Sequence, residues 1–363
     1  MPRSKRPALR SVRIGIVLAV LLTVVPGSRA GASAPEAIVI QHGRGVRFVD
    51  PSTGEGRWQI ERVDSLFATV TTDGVAYVSE AASDGTSTAI GVVDASGRAE
   101  MLAELPGRFA VGRTSASGDH LLLMEFPSEG AGSLVPVDVR ALAIPAQWRA
   151  HSRGRLEAVR DNGVGILAAD GRSWYQLRAL PAEPGSDGQE YALVARRFED
   201  GSPTEATKPL PLSAGYHSLL ASPATDRLYL VSYYEHAFLV VDSRRLAVVQ
   251  TVPFGTAPFK HALCAAALSP TGDRLFVLAN SSSTAGDGIR VFDTASWSEV
   301  AHLLPGQDLY CLVVAPDGSR LYTSTVPTDP SRTELLTIDA QSGDKLGRVP
   351  LDLGFDWVAG AVG

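Results

Sequence analysis

Four short segments combine aromatic, basic and carboxylate residues just ahead of an apolar run: "SAGYHSLLAS", "TAPFKHALCAAALS", "GQDLYCLVVA" and "GFDWVAGAVG". They supply Tyr216, His217, Phe259, Lys260, His261, Asp308, Tyr310, Asp356 and Trp357. Aromatic faces interleaved with carboxylates suit a cationic or amine-bearing ligand, because ring face and carboxylate attract the same charge. A histidine near an aspartate is also the pairing of a general base and its orienter. The competing reading is structural: the same side chains close a channel mouth and tie neighbouring units together. Elsewhere the sequence carries no Gly-x-Ser-x-Gly, His-Glu-x-x-His, phosphate-loop or Ca²⁺-loop pattern. No metal site and no cofactor is therefore expected. Cys264 and Cys311 are the only two cysteines, too far apart for a Cys-rich metal motif.

The elements that must position these segments are written into a repeat. "ASPATDRLYLVSY", "LSPTGDRLFVLAN" and "VAPDGSRLYTSTV" begin at Ala221, Leu268 and Val314, spaced by 47 and then 46 residues. Each reads as a hairpin turn between two apolar strands: Pro fixes one dihedral, Gly permits a positive one, and Asp or Ser bonds back to the backbone. A second phrase ends a strand in an aspartate, at Asp50, Asp94, Asp138, Asp242, Asp293 and Asp339. The regular recurrence of this carboxylate is explained by turn capping rather than catalysis. Runs rich in Val, Leu, Ile, Phe and Tyr between Gly, Asp, Ser and Pro clusters mark short antiparallel strands throughout.

Four strands every 46 residues or so predict an all-β propeller of four-stranded antiparallel blades. About 333 residues beyond a leader give seven blades. Innermost strands are expected near Asp64–Thr72, Arg108–Ser115, Arg155–Asp161, Tyr216–Ser222, His261–Ser269 and Asp308–Ala315. The first blade lacks one, and "FDWVAGAVG" is expected to supply it and close the ring. The fourth blade is irregular, with loops predicted near Pro181–Gly188 and Gly201–Pro209. Alternation along a strand puts Cys264 and Cys311 on opposite faces of successive blades, where a disulfide would staple the two together.

The chain has 363 residues, 45% of them hydrophobic, and a formal charge of -6 without a basic block in its body, so a nucleic-acid surface is not indicated. Its first residues do differ: "MPRSKRPALRSVR" is basic, "IGIVLAVLLTVV" apolar and "PGSRAGASA" small. This layout predicts a signal peptide over 1–30, cleaved after Ala30, and a single propeller domain over 31–363. The mature chain is expected in the periplasm or outside the cell, without a membrane span, or tethered if the leader is retained.

The phrases "SPTGDRLFVLAN…IRVFDTASWSEVAHLLPG" and "APDGSRLYTSTV…LLTIDAQSGDKLGRVPL", with "DRLYLVSYYEHAFLVVDSRRLAVVQTVPFG" before them, resemble YVTN-type propellers. That group also holds the large subunits of quinoprotein amine dehydrogenases. The resemblance implies a fold more than a chemistry. For an amine dehydrogenase it implies a propeller without its own redox cofactor, partnered by a small quinone-bearing subunit. Propeller-type lactonases are a further relative. The expectation is an exported binding or scaffold protein that uses the mouth for a small ligand or protein partner. A cofactor-free amine dehydrogenase-like subunit and a lactonase are the alternatives.

Overall fold

The computed structural model describes residues 37–42, 45–61, 67–70, 75–82, 84–93, 99–115, 120–125, 133–138, 165–180, 190–197, 204–212, 217–232, 235–254, 266–279, 288–325, 333–351 and 357–362. Its strands follow in chain order. First come β1 (Ala37–His42), β2 (Gly45–Val49) and β3 (Gly56–Glu61). Next are β4 (Phe67–Val70), β5 (Ala76–Ala81), β6 (Ser87–Val93) and β7 (Ala99–Pro106). Then come β8 (Phe109–Thr114), β9 (His120–Glu125) and β10 (Ser133–Asp138), followed by β11 (Gly165–Leu167), β12 (Ser173–Ala179), β13 (Tyr191–Arg197) and β14 (Thr204–Leu210). The fifth group is β15 (His217–Ala221), β16 (Arg227–Ser232), β17 (Ala237–Asp242) and β18 (Ala247–Pro253). The sixth is β19 (Ala266–Leu268), β20 (Arg274–Leu278), β21 (Ile289–Asp293) and β22 (Glu299–Leu303). Last are β23 (Leu309–Val314), β24 (Arg320–Thr325), β25 (Glu334–Asp339), β26 (Lys345–Pro350) and β27 (Trp357–Val362).

Every sheet is antiparallel between sequence neighbours. The expected count of seven four-stranded blades is corrected to five: only β4–β7, β11–β14, β15–β18, β19–β22 and β23–β26 are sheets of four consecutive strands. The repeat arithmetic extended the spacing of residues 221–350 to the whole chain. The sheet β1–β3 takes its fourth strand from β27, as expected, and β8–β10 has three strands among the described residues. The expected pairing of the "FDWVAGAVG" strand holds, with Val39 opposite Gly360 and Gln41 opposite Trp357.

The inner strands touch one another in a closed order: β4 meets β8, β8 meets β11, and so on through β15, β19 and β23 to β27, which meets β4. Ser115, after β8, bridges Leu167 of β11 in parallel. Five of the six expected inner strands coincide with β4, β8, β15, β19 and β23. The sixth is corrected, because β11 holds the inner position of its sheet; Arg155–Asp161 lies outside the described residues. The loop expected at Gly201–Pro209 is also corrected, since Thr204–Leu210 is the outer strand β14. Pro209 fits there because an outermost strand leaves one edge without ladder partners, and Pro253 and Pro350 occupy β18 and β26 for the same reason.

Burial is greatest in the middle strands, which explains why they read as unbroken apolar runs. Leu228–Ser232 of β16 and Ala237–Val241 of β17 are buried throughout, whereas most of β18 faces water. A sheet packed on both faces has no polar side, so alternation disappears from its sequence. The largest core cluster joins β15–β18 to the two following sheets, with the Phe238 ring edge-on to Phe292 at 5.0 Å and to Tyr229 at 6.4 Å.

The repeated phrases now have their physical meaning. Gly272 has φ +75°, and a Cβ there would lie 2.9 Å from Cδ of Pro223 in the preceding blade. Gly318, at φ +75°, stands likewise over Pro270. These two inner turns thus rest their glycines on the proline of the turn before. The aspartates cap: Asp242 accepts from the Arg244 and Arg245 N–H groups, Asp293 from those of Ala295 and Ser296, and Asp339 from those of Gln341 and Ser342. Asp50 does the same for Ser52 at 2.8 Å. Asp94 lies outside the described residues. These carboxylates also stand across the ladder from an arginine, in the pairs Arg227–Asp242, Arg274–Asp293 and Arg320–Asp339. Arg274 closes on Asp293 at 2.6 Å.

Candidate functional site

In the sheets beginning at β4, β15 and β23, the start of the inner strand pairs with the end of the second strand, so those two ends share one mouth of the ring. Among the residues expected there, Asp308 directly precedes β23 and Tyr310 is its second residue, both half-buried. His217 begins β15 and Trp357 begins β27, so both backbones lie at this mouth. Tyr216, Phe259, Lys260, His261 and Asp356 lie outside the described residues.

Tyr310 is held by its backbone. Its carbonyl accepts from Ser324 Oγ at 2.8 Å and from Thr323 Oγ1 at 3.3 Å, both hydroxyls being fully buried. Burial pushes the Tyr310 hydroxyl pKa upward, so the phenol stays protonated and can donate a hydrogen bond. The next residue, Cys311, is fully buried, disulfide-bonded and left-handed at φ +53°. It sits in a bulge: Tyr310 faces Ser324 and Leu312 faces Thr323, with Cys311 between them. The bulge interrupts the alternation on which its expected face depended. Cys264 lies outside the described residues.

Two carboxylates that the sequence did not single out belong to the same mouth. Glu80 lies next to Ser79, and Ser79 pairs with Phe67 at the start of β4. It is half-buried, and desolvation raises its pKa. Glu235 follows the end of β16 and accepts a hydrogen bond from the buried Ser232 hydroxyl. Glu80, Glu235 and Asp308 therefore come from three sheets and share one sign of charge. The sequence carried no local signal for Glu235; its neighbour His236 takes φ +50°. Glu80 had no signal beyond its place at the end of an apolar run. Among the described residues no group of three His, Cys, Asp or Glu side chains could hold a metal ion.

The described cavities open at the other end of the inner strands, around the inner turns. One, of about 570 Å³, lies between the sheets β19–β22 and β23–β26 and is lined by Asp273, Arg274, Asp317 and Asp339. The other, of about 500 Å³, lies between β11–β14 and β15–β18.

No protein-family model matches the sequence, and no curated protein is similar to it. Its architecture does match solved structures. A Bacteroides fragilis protein provisionally named a 6-phosphogluconolactonase superposes with a TM-score of 0.52 at 14% identity, over 92% of this chain and 99% of that one. Apo AztD from Citrobacter koseri superposes with a TM-score of 0.51 at 12% identity, over 90% of this chain and 97% of that one. This chain is a β-propeller. At such identities the likeness concerns the fold alone. No helix of the described part of the propeller is long and apolar enough to cross a membrane.

Proposed function

We propose that this propeller is an exported binding protein whose mouth, at the start of the inner strands, takes a cationic or amine-bearing ligand or the basic segment of a protein partner. What supports the reading is that Glu80, Glu235 and Asp308 stand at strand ends of three sheets that share one side of the ring, with Tyr310, whose phenol stays protonated, near the start of β23. Like charges held at the rim of a cleft favour an ion of the opposite sign, and a half-buried aromatic adds cation–π attraction. Tyr216, His217, Phe259, Lys260, His261, Asp356 and Trp357 complete the rim in this reading, with 1–30 as the export signal. The phrases between 221 and 350 ally the propeller to the YVTN-type group. A separate subunit carrying any redox group is consistent with that alliance.

Cys264 and Cys311 are proposed to bond to each other, stapling the segment before β19 to β23. Cys311 is disulfide-bonded, and Cys264 is the chain's only other cysteine. Alkylation before reduction is expected to leave the mass unchanged, and after reduction to label both thiols.

The functional test is titration of the purified mature chain with spermidine at low and high salt. Saturable binding that Glu80→Gln and Asp308→Asn each weaken supports the mouth. Unchanged binding in both variants rejects it. A co-purifying subunit from the native host would identify the occupant as a protein, whereas lactone turnover abolished by His217→Ala would replace the binding reading with a hydrolase.

A further inference from the structure

The cavity between the sheets β11–β14 and β15–β18 is built like the one between β19–β22 and β23–β26, but its charge is reversed. Both are framed by the inner turns of two adjacent sheets and by the turn after a third strand. One presents Asp273, Asp317 and Asp339 against Arg274. The other presents Arg172, Arg197, Arg227 and Arg244 against Asp170 and Asp226. A groove that only packed blades together would keep the repeat's residues.

The reversal is sharpest at Arg197. In β16, β20 and β24 the first residue of the second strand is an arginine facing an aspartate, the pairs being Arg227–Asp242, Arg274–Asp293 and Arg320–Asp339. In the β11–β14 sheet that pair is Ser173 and Arg197. A guanidinium thus occupies the ladder position at which the repeat places a turn-capping carboxylate, and it cannot accept the turn's N–H bonds. The substitution adds a cation to the groove.

Neighbouring carboxylates do not absorb this charge. Asp226 is matched to Arg244 at 2.8 Å, and Asp242 to Arg227 at 3.5 Å. Asp170 accepts from the backbone N–H groups of Arg172 and Ser173 and from Ser173 Oγ. Arg172 and Arg197 are both exposed, and no ion pair engages either guanidinium among the described residues. The floor between them is fixed by the buried Tyr175, whose hydroxyl donates across the two sheets to the Ser243 carbonyl at 3.2 Å.

We infer that this groove is a binding site for a small molecule bearing a phosphate or carboxylate group, gripped by the forks of Arg172 and Arg197. A planar guanidinium offers two parallel N–H donors to an oxyanion, and two such forks on one rigid wall can hold a doubly charged group. A volume of about 500 Å³ suits a small molecule. The site lies at the opposite end of the inner strands from the mouth and stands independently of the function proposed there.

The test is calorimetric titration of the mature chain at low salt with inorganic phosphate and, separately, with citrate. Saturable binding of at least one anion is expected. Arg197→Gln and Arg172→Gln should each weaken it by about tenfold or more, the effect of losing one charge-assisted hydrogen bond. Lys208→Gln, an exposed position on β14, removes the same charge elsewhere and should leave the affinity unchanged. The stronger anion identifies the ligand class as phosphate or carboxylate. Absence of saturable binding by both anions overturns the inference, as does equal weakening in Lys208→Gln, which would show attraction to net charge alone. Thermal unfolding of each variant confirms that the fold is retained.

Discussion

Asp293 concentrates at one residue what the repeat does at several turns. Hydrogen bonds from the Ser296 backbone and hydroxyl, together with the Arg274 guanidinium, lower its pKa to about 2. A carboxylate with a folded-state pKa below its ordinary value contributes stability above that ordinary value, and the contribution is lost as pH falls through about 2. The urea midpoint of Asp293→Asn is therefore expected below that of the parent at pH 6, with the gap closing toward pH 2. Glu80 behaves in the opposite sense. Its pKa is raised by burial, so its contribution favours the folded state at low pH and is lost as pH rises through the raised value. Turn aspartates were legible because capping demands a particular residue at a particular place. Glu80 and Glu235 were not, because their role depends on which strand ends share the mouth, and no local rule encodes that.

Blades are held to one another as much as within themselves. Phe238, on a third strand, meets Tyr229 of its own sheet and Phe292 of the next, so one side chain serves both. Phe238→Ala is expected to cost about 3–5 kcal/mol by equilibrium denaturation, the range for deleting a fully buried aromatic. Polar ties between sheets accompany such contacts: the buried Ser79 hydroxyl accepts the N–H of Val111 at 2.9 Å, and Thr88 accepts that of Phe109. The inner hairpins were readable at this scale, because proline and glycine occupy fixed places in each turn. The sheet β11–β14 escaped because its pattern departs from the repeat. "AADGRS" lacks the proline, and the Asp–Arg ladder is replaced by Ser173 and Arg197.

Across the whole molecule, a ring legible from periodicity has two polar ends that periodicity could not assign: carboxylates at the mouth and guanidiniums in a groove among the inner turns. The expected number of blades came out too high because spacing measured over residues 221–350 was extended to a half that shows fewer strands per unit among the described residues. Ring closure rests on β27 beside β1, with Ile38 opposite Ala361. Deleting residues 357–363 should leave the edge of β1 unpaired, lower the thermal midpoint and promote self-association, measurable by size-exclusion chromatography. That pairing also bears on how the protein is made. A ribosome delivers residues 37–42 early and residues 357–362 late, so sheets such as β4–β7 and β11–β14 can form while the first waits with an open edge. During synthesis the edge of β1 is then exposed until residues 357–362 arrive.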